Sequence, residues 1–416
     1  MTCPRSLIGR HSVIALPAEE IMLTLSSPAV LILGASTRAA ADSAMRSGFR
    51  PICLDQFADA DLRSVAEVRA ISSLALPPIC AVLQGLESHP IVFAGGMENH
   101  PVTWEALERQ HTVWAPSQQA VSVVRDPQAL TCGFLELKQP MLELRSRETA
   151  PPADGTWMLK PLASAGGRGV RVWDQAALNS DTLRRPHYFQ KRIHGPVYSA
   201  LFIAECDVGD VRFVGLTQQW AGCAELYAHD YWWCGNMGPV TLDVQAEFLV
   251  RRWGNILKWK FELTGLFGVD FALDEAGQPW LLEVNPRWTG SAEVLELACG
   301  LSLFADHVAC YSPEAAATGR SMAPPAGDQD ASLVGRGILY APHRLRWLGD
   351  LPVKRCWENQ PSIADVPARG TVIESHLPLC SLYARGNSEA VLQQQLFGQA
   401  RQILQAMTEP VDAPAT

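Results

Sequence analysis

Two carboxylates, Asp270 and Glu283, lie in a stretch whose pattern predicts a β-hairpin. Apolar residues alternate with small or polar ones before residues 274–277, whose composition is typical of a turn, and a second strand is predicted after it. If the hairpin is symmetric about residues 276 and 277, Asp270 lies directly opposite Glu283, with Cβ atoms roughly 5 Å apart. Asn285 shares the face of Glu283, because side chains two residues apart on a strand point the same way.

Two like charges so placed repel each other, and a bound divalent cation would resolve the conflict. Mg²⁺ takes carboxylate and amide oxygens and keeps further coordination positions for phosphate oxygens. Asp270, Glu283 and Asn285 are therefore the predicted metal ligands. The alternative, from this stretch alone, is a solvated acidic hairpin without a metal.

A glycine loop, residues 164–170, follows a predicted strand that ends at Lys160. Gly166, Gly167 and Gly169 allow backbone N–H groups to approach an anion closely, and Lys160 would add a positive charge for phosphates. The loop leads into a second strand and not into a helix, so it is not a Walker loop. A flexible hairpin without a ligand is the alternative.

Residues 188–193 form a third motif, a predicted strand that runs into a Gly-Pro turn at Gly195. The end of such a strand leaves backbone N–H and C=O groups that could recognise the edge of an adenine. A single segment of this kind has little specificity.

The elements that must position these motifs begin with a predicted α/β lobe at residues 28–120. Strands and a helix alternate there as in a βαβ unit, at residues 29–33, 39–47, 50–55 and 90–94. Ligands of doubly wound parallel sheets lie at the carboxyl ends of the strands, so the turns at residues 34–38 and 95–99 should border a binding crevice. A connecting helix is predicted at residues 126–137, and short strands with glycine turns follow from residue 157.

Composition excludes several classes of protein. The 416 residues suggest two or three lobes, and 48% hydrophobic with 19% charged residues is an ordinary globular balance. A net charge of −9 argues against a nucleic-acid partner. The eleven cysteines are scattered, which suits reduced thiols better than a zinc site or a disulfide framework. No apolar run is long enough to cross a bilayer, so we expect a cytoplasmic protein without a membrane partner.

In chain order, the lysine strand, glycine loop, linker and acidic hairpin resemble the ATP-grasp superfamily over about residues 28–297. The most specific piece is Glu283-Val-Asn285-Pro-Arg287. The resemblance implies a fold of the α/β and α+β classes, with an N-terminal doubly wound lobe, a two-lobed ATP-grasp domain and a small β-rich C-terminal lobe. The expected divisions are a tail at 1–27, the α/β lobe at 28–120, the ATP-grasp domain at 121–314, a linker at 315–331 and the C-terminal lobe at 332–416.

The resemblance also implies ATP and Mg²⁺, or Mn²⁺, as cofactors, with the metal on Asp270, Glu283 and Asn285. Lys160 would hold the α- and β-phosphates, and the glycine loop would close over the β- and γ-phosphates. Arg287 would face the transferred phosphoryl group or an acyl phosphate, which makes Lys160 and Arg287 the predicted catalytic residues. The predicted nucleotide-binding residues are Lys160, Gly166, Gly167, Gly169, Gln190, Lys191, Arg192 and Ile193.

Two positions depart from the pattern of this superfamily. Many relatives carry a basic residue on the connector before the glycine loop, often in an Asp-Lys pair, where this chain has Arg125-Asp126-Pro127. The acid common in the adenine linker is replaced by Lys191 and Arg192. Arg125 is thus the candidate substitute for the connector cation, and ribose recognition has no predicted residue.

The resemblance predicts an ADP-forming ligase that joins a small-molecule carboxylate to an amine through an acyl phosphate. Small-molecule or cofactor biosynthesis, including one-carbon cofactors, is the expected context, and a homodimer remains open. The alternatives are a nucleotide-binding protein without ligase turnover and a phosphotransferase that acts on a hydroxyl.

Several residues have two interpretations. Residues 229–239, rich in aromatic side chains, could wall a substrate or pack lobes together, and we favour packing, as we do for the C-terminal lobe. His194 and His229 are interpreted as structural or exposed. Arg38 and residues 291–296 are candidate substrate contacts.

Overall fold

The computed structural model describes residues 27–205, 209, 211–318, 333–349 and 362–412. The predicted N-terminal tail therefore lies outside the described residues apart from Ser27. The predicted linker does too from residue 319 onward.

The N-terminal lobe is a parallel four-stranded sheet with the order β3-β2-β1-β4. Its strands are β1 (Ala29–Gly34), β2 (Arg50–Asp55), β3 (Glu67–Ala70) and β4 (Ile91–Phe93). The helices are α1 (Arg38–Arg46), α2 (Ala60–Val65), α3 (Leu76–Leu83), α4 (Pro101–Gln110), α5 (Gln118–Arg125) and α6 (Pro127–Glu136). The predicted parallel α/β lobe is confirmed, since all three strand pairings are parallel.

Local sequence explains where these helices begin and end. Gly48 follows α1 with a φ of +81°, a conformation that glycine adopts at little cost after a helix. The Asp126 side chain accepts hydrogen bonds from the N–H groups of Gln128 and Ala129, which starts α6 at Pro127. The predicted connecting helix is thereby confirmed, and α5 ends at Arg125 immediately before it.

A second sheet carries the lysine strand. It has the order β5-β8-β6-β7, and its strands are β5 (Leu144–Arg145), β6 (Trp157–Pro161), β7 (Arg171–Trp173) and β8 (His187–Lys191). All its pairings are antiparallel. Lys160 lies near the end of β6, and the glycine loop joins β6 to β7.

The third and largest sheet has eight strands in the order β13-β12-β9-β10-β11-β14-β18-β16. Its first five strands in the chain are β9 (Val197–Ala204), β10 (Val211–Ala221), β11 (Trp233–Val240), β12 (Gly265–Leu273) and β13 (Pro279–Asn285). The helices around it are α7 (Val244–Phe261), α8 (Gly290–Cys299), α9 (Leu303–Ala309) and α10 (Pro313–Thr318). The predicted linker therefore begins as the end of a helix.

The C-terminal strands are β14 (Leu333–Tyr340), β15 (Leu345–Trp347), β16 (Ile363–Ala364), β17 (Val372–Ile373), β18 (Pro378–Gly386) and β19 (Thr408–Pro410), with α11 (Glu389–Met407) between β18 and β19. Three of them, β14, β18 and β16, continue the large sheet. β14 pairs antiparallel with β11, which covers an edge that would otherwise expose unpaired backbone groups. The other three, β15, β17 and β19, form a small sheet of their own.

One hydrophobic core connects the N-terminal lobe to the large sheet. Phe49 and Ile32 pack with Leu266 from β12 and with Phe304 from α9. Packing therefore fixes the position of the N-terminal lobe on the large sheet. None of the helices within the described residues combines the length and apolarity that crossing a membrane requires.

Candidate nucleotide and metal site

The acidic hairpin has the predicted register at the residues that matter. Asp270 on β12 pairs with Glu283 on β13, and Gly268 pairs with Asn285. A bulge follows, because Phe271 pairs with Leu281 and leaves one extra residue on the returning strand. The pairing assumed from the sequence is therefore correct at Asp270 and Glu283, and between the bulge and the turn it is shifted by one residue.

Asp270 is a carboxylate whose charge is only partly compensated. Its Oδ2 accepts a hydrogen bond from Asn285 Nδ2 at 2.8 Å, and its Oδ1 accepts one from Gln219 Nε2 at 2.6 Å. Burial and the charge of Glu283 raise the pKa of Asp270 to about 6, although a hydrogen bond from Ser199 opposes the shift. A cation at this position would remove the conflict.

Glu283 forms an ion pair with Arg125 at the end of α5. Burial raises the pKa of Glu283, but the charges of Arg125 and Lys160 outweigh it and leave the pKa below its usual value. Arg125 Nε is buried without an acceptor, which leaves one donor for a bound anion. Arg125, the candidate substitute for the connector cation, thus lies at the acidic hairpin.

Lys160 and Gln190 come together from neighbouring strands. Lys160 Nζ donates to Gln190 Oε1 at 3.1 Å and lies 5.8 Å from the centre of the Tyr188 ring. Burial opposes its charge, yet Tyr188 and Glu283 raise the pKa of Lys160 above the ordinary value. Lys160 is therefore a stable cation near the acidic hairpin.

Arg287 is held by an acid that the sequence analysis missed, Glu98. Arg287 donates to Glu98 Oε1 from Nη2 at 2.8 Å and from Nε at 3.1 Å, and to Asn285 Oδ1 at 3.1 Å. The other oxygen of Glu98 accepts the Gly96 N–H at 2.9 Å. The sequence predicted the glycine turn after β4 to border the crevice, but no local pattern distinguished Glu98 from other acids.

The three predicted glycines of the loop adopt left-handed backbone conformations, with φ of +61° at Gly166, +74° at Gly167 and +83° at Gly169. A Cβ at Gly167 would collide with the carbonyl oxygen of Tyr231. The Trp233 N–H donates to the Gly166 carbonyl at 3.0 Å. The loop therefore lies directly against the aromatic segment.

Of the predicted adenine linker, Gln190 contacts another predicted site residue, Lys160. The N–H of Lys191 donates to the Glu143 carbonyl at 2.9 Å, and that of Arg192 donates to the Thr156 carbonyl at 3.0 Å. These two amides already have partners. Ile193 is half-buried, and recognition of adenine by this segment stays a prediction.

Arg38 and the acids of residues 291–296 do not line an open substrate site. Arg38 is buried and donates to Glu293 at 3.1 Å, to Asp365 at 2.8 Å and to the Tyr383 hydroxyl at 2.7 Å. Arg336 on β14 bonds the same two acids, and we call Arg38, Arg336, Glu293 and Asp365 the interlobe ion cluster. The expected substrate contact is wrong for Arg38 and Glu293, because partners remote in sequence occupy both.

The aromatic segment packs parts of the molecule together, as we favoured. The Trp232 ring lies 5.6 Å from that of Tyr340 and 4.7 Å from that of His229. Trp233 packs so closely on Gly290 that a Cβ there would be 2.7 Å from its ring. His194 is exposed, as predicted.

The donor set of the hairpin fits a hard divalent cation. Within the described ranges, no three side chains of His, Cys, Asp or Glu cluster so as to hold a metal by themselves. Asp270 and Glu283 offer carboxylate oxygens on opposed strands, and Asn285 adds an amide. Six-coordinate Mg²⁺ would take its remaining ligands from phosphate and water oxygens.

Comparison with known proteins gives a family match to part of the chain. Residues 134–291 match the family described as the ATP-grasp domain, and the stretch contains Lys160, the glycine loop, the acidic hairpin and Arg287. An uncharacterised protein of Methanocaldococcus jannaschii is 28% identical over 152 residues. That match covers 36% of this chain and only 35% of the relative, about a third of its length.

Solved structures match nearly the whole chain at low identity. N5-carboxyaminoimidazole synthetase from Staphylococcus aureus, complexed with ADP, has a TM-score of 0.61 and 15% identity over 90% of this chain and 97% of its own. The L-amino acid ligase from Bacillus licheniformis has a TM-score of 0.63 and 12% identity over 93% of this chain and 100% of its own. At these identities the likeness concerns the fold.

Proposed function

We propose, from the premise that this chain belongs to the ATP-grasp superfamily, that it is an ATP-dependent ligase joining a carboxylate to an amine. The observation that supports this most is the Asp270–Glu283 pair with three cations around it, Arg125, Lys160 and Arg287. Opposed carboxylates bind a metal, and surrounding cations bind phosphates. A solvated surface hairpin needs neither opposed carboxylates nor surrounding cations.

Each cation has a distinct role in the proposal. Lys160 binds the α- and β-phosphates, and Arg125 turns its unpartnered Nε–H toward the same phosphates. Arg287, oriented by Glu98 and Asn285, faces the transferred phosphoryl group. Bound Mg²⁺ or Mn²⁺ would neutralise charge on the β- and γ-phosphates.

The proposed reaction has two displacements. A substrate carboxylate oxygen attacks the γ-phosphorus and ADP leaves, which forms an acyl phosphate. The amine then attacks the acyl carbon, phosphate leaves, and the amine gives up a proton. No side chain is a covalent nucleophile, and the glycine loop protects the acyl phosphate from water.

The comparisons support this reaction class without naming the substrates. One solved neighbour binds ADP and another is named an L-amino acid ligase. Small-molecule or cofactor biosynthesis in the cytoplasm, including one-carbon cofactors, is our finer proposal, with small carboxylates and amines as partners. A homodimer is compatible with it.

Replacing one metal ligand tests the site. We expect Glu283→Gln to abolish Mg²⁺-dependent ATP use while the protein stays folded, because an amide cannot supply the anionic oxygen. Glu275→Gln is the matched control, since Glu275 is exposed in the turn of the same hairpin. ADP release would be measured against a panel of carboxylates and amines, with circular dichroism to verify folding.

The same panel separates the alternatives. Strict dependence on both substrates supports the ligase, ADP formation with an alcohol alone supports a phosphotransferase, and ATP binding without turnover supports a nucleotide-binding protein. Turnover at the wild-type rate by Glu283→Gln would contradict the assignment of Glu283 as a metal ligand.

A further inference from the structure

The glycine loop is docked on a surface remote from it in sequence, and Arg168 makes the main side-chain contacts. The Arg168 guanidinium lies 4.3 Å from the centre of the Trp232 ring. Its Nη2 donates to the His376 carbonyl at 3.0 Å. Stacking on an indole and one charge-assisted hydrogen bond both favour this position.

Two further hydrogen bonds hold the loop in the same place. The Trp233 N–H donates to Gly166, as described above, and Asn99 Nδ2 donates to the Ser164 carbonyl at 3.1 Å. The loop therefore touches the N-terminal lobe, the aromatic segment and the turn between β17 and β18 together.

The surface that receives the loop has a preset shape. We call Tyr231, Trp232, Trp233 and His376 the docking platform. Tyr231 and His376 have φ values of +65° and +66°, a region that non-glycine residues rarely occupy. His376 Nδ1 and His229 Nε2 are 2.9 Å apart in a hydrogen bond, which fixes the two imidazoles against each other. Backbone strain of this kind persists where the surroundings hold a functional shape.

We propose that Arg168 is a positioning residue that latches the glycine loop closed on the docking platform, so that nucleotide must break the latch to enter or leave. The inference rests on the proposed function, because it takes the cleft behind the loop as the nucleotide site. The rival role for Arg168 is a direct phosphate contact.

The two roles predict different effects on the association rate of nucleotide. Loss of a latch opens the loop more often, so both association and dissociation of nucleotide become faster. Loss of a phosphate contact speeds dissociation only and weakens binding. A general loss of structure would not speed association.

The test compares Arg168→Ala with Arg171→Ala, since Arg171 is exposed on β7 directly after the loop. We expect Arg168→Ala to raise both rate constants for a fluorescent ADP analogue, measured with Mg²⁺ by stopped flow, by about fivefold or more. Arg171→Ala should match the wild type. Trp232→Leu should reproduce Arg168→Ala, and the double variant should add little, because both remove one contact.

A second measurement needs no nucleotide. Hydrogen–deuterium exchange of the Trp233 amide should become about fivefold faster or more in Arg168→Ala, because its acceptor is in the loop. Unchanged exchange and unchanged association would overturn the latch. If the wild type fails to bind the ADP analogue while the exchange result holds, the proposed function fails and the docking contact stands.

Discussion

Arg125 is the residue whose position bears most directly on the chemistry of the site. Its guanidinium pairs with Glu283, one of the proposed metal ligands, while its Nε–H has no acceptor. A cation in this position competes with a metal for Glu283, and its Nε–H can donate a hydrogen bond to a phosphate. These two effects have opposite consequences when the side chain is removed.

We predict that Arg125→Ala binds Mn²⁺ more tightly without nucleotide and uses MgATP less well. Removing the competing charge should strengthen Mn²⁺ binding about tenfold, and losing the phosphate contact should raise the KM for ATP about tenfold, each about 1.4 kcal/mol. Electron paramagnetic resonance would follow the free Mn²⁺. Arg125→Lys should retain most ATP use, and Mn²⁺ binding no tighter in Arg125→Ala than in the wild type would contradict the competition.

Among the elements, the loop between β6 and β7 depends on close backbone approach at one glycine and not at its neighbour. Both Gly166 and Gly167 have positive φ. A Cβ at Gly166 would meet nothing within 4 Å, whereas one at Gly167 would collide with the Tyr231 carbonyl. An alanine at Gly166 would therefore add backbone strain alone, whereas an alanine at Gly167 would add backbone strain and a steric clash.

We predict that Gly167→Ala prevents the loop from docking and that Gly166→Ala does so much less. The positive φ alone costs an alanine about 1 kcal/mol, whereas at Gly167 the added methyl group also displaces the backbone of Tyr231. Exchange of the Trp233 amide, compared between the two variants, measures docking. Equal exchange in both would mean that the contact with Tyr231 does not hold the loop.

Across the whole molecule, the interlobe ion cluster joins α1, α8 and the C-terminal strands. Arg38 and Arg336 neutralise Glu293 and Asp365 in the interior, and the two arginines lower the pKa of Asp365 despite its burial. Removing one arginine leaves a single cation for two buried carboxylates, and a buried charge without compensation costs more than the loss of a whole ion pair.

We predict that Arg38→Met destabilises the protein by about 3–5 kcal/mol, measured by urea unfolding. Arg109→Ala is the control, because its side chain is 74% exposed in a surface pair, and it should change stability by less than about 0.5 kcal/mol. If Arg38→Met kept wild-type stability and lost only activity, Arg38 would be a substrate contact after all.

Burial of His307 should make the free energy of unfolding depend on pH. It accepts the Leu266 N–H at Nδ1 and lies 2.9 Å from the Trp114 carbonyl at Nε2, so it joins β12 to the N-terminal lobe as a neutral imidazole. Burial lowers the pKa of His307 from 6.5 to about 4. Above pH 6.5 His307 is unprotonated in both the folded and the unfolded protein. As the pH falls from 6.5 to 4, His307 becomes protonated in the unfolded protein but not in the folded one.

The wild type should therefore lose about 3 kcal/mol more than His307→Gln between pH 6.5 and 4. Glutamine keeps one donor and one acceptor but cannot titrate there. Urea unfolding at several pH values measures the difference. Parallel pH profiles for the two proteins would show that His307 does not control this range.

The sequence by itself determined the features that depend on neighbours a few residues apart. Alternation predicted the acidic hairpin, and the pairing of Asp270 with Glu283 follows from a turn only a few residues away. The strand that carries Lys160 and the positive φ values of the glycine loop also follow from local composition. Such features are encoded locally because backbone periodicity and turn chemistry act over short distances.

Only the tertiary structure decided which charges meet. Glu98 orients Arg287 across 189 positions of sequence, and Arg38 finds Asp365 across 327. β14 joins the large sheet because β11 offers an open edge, which no pattern in either strand reveals. A charged side chain looks the same in sequence whether it binds substrate or a buried partner. Packing brings the partner to it, and so packing decides between those roles.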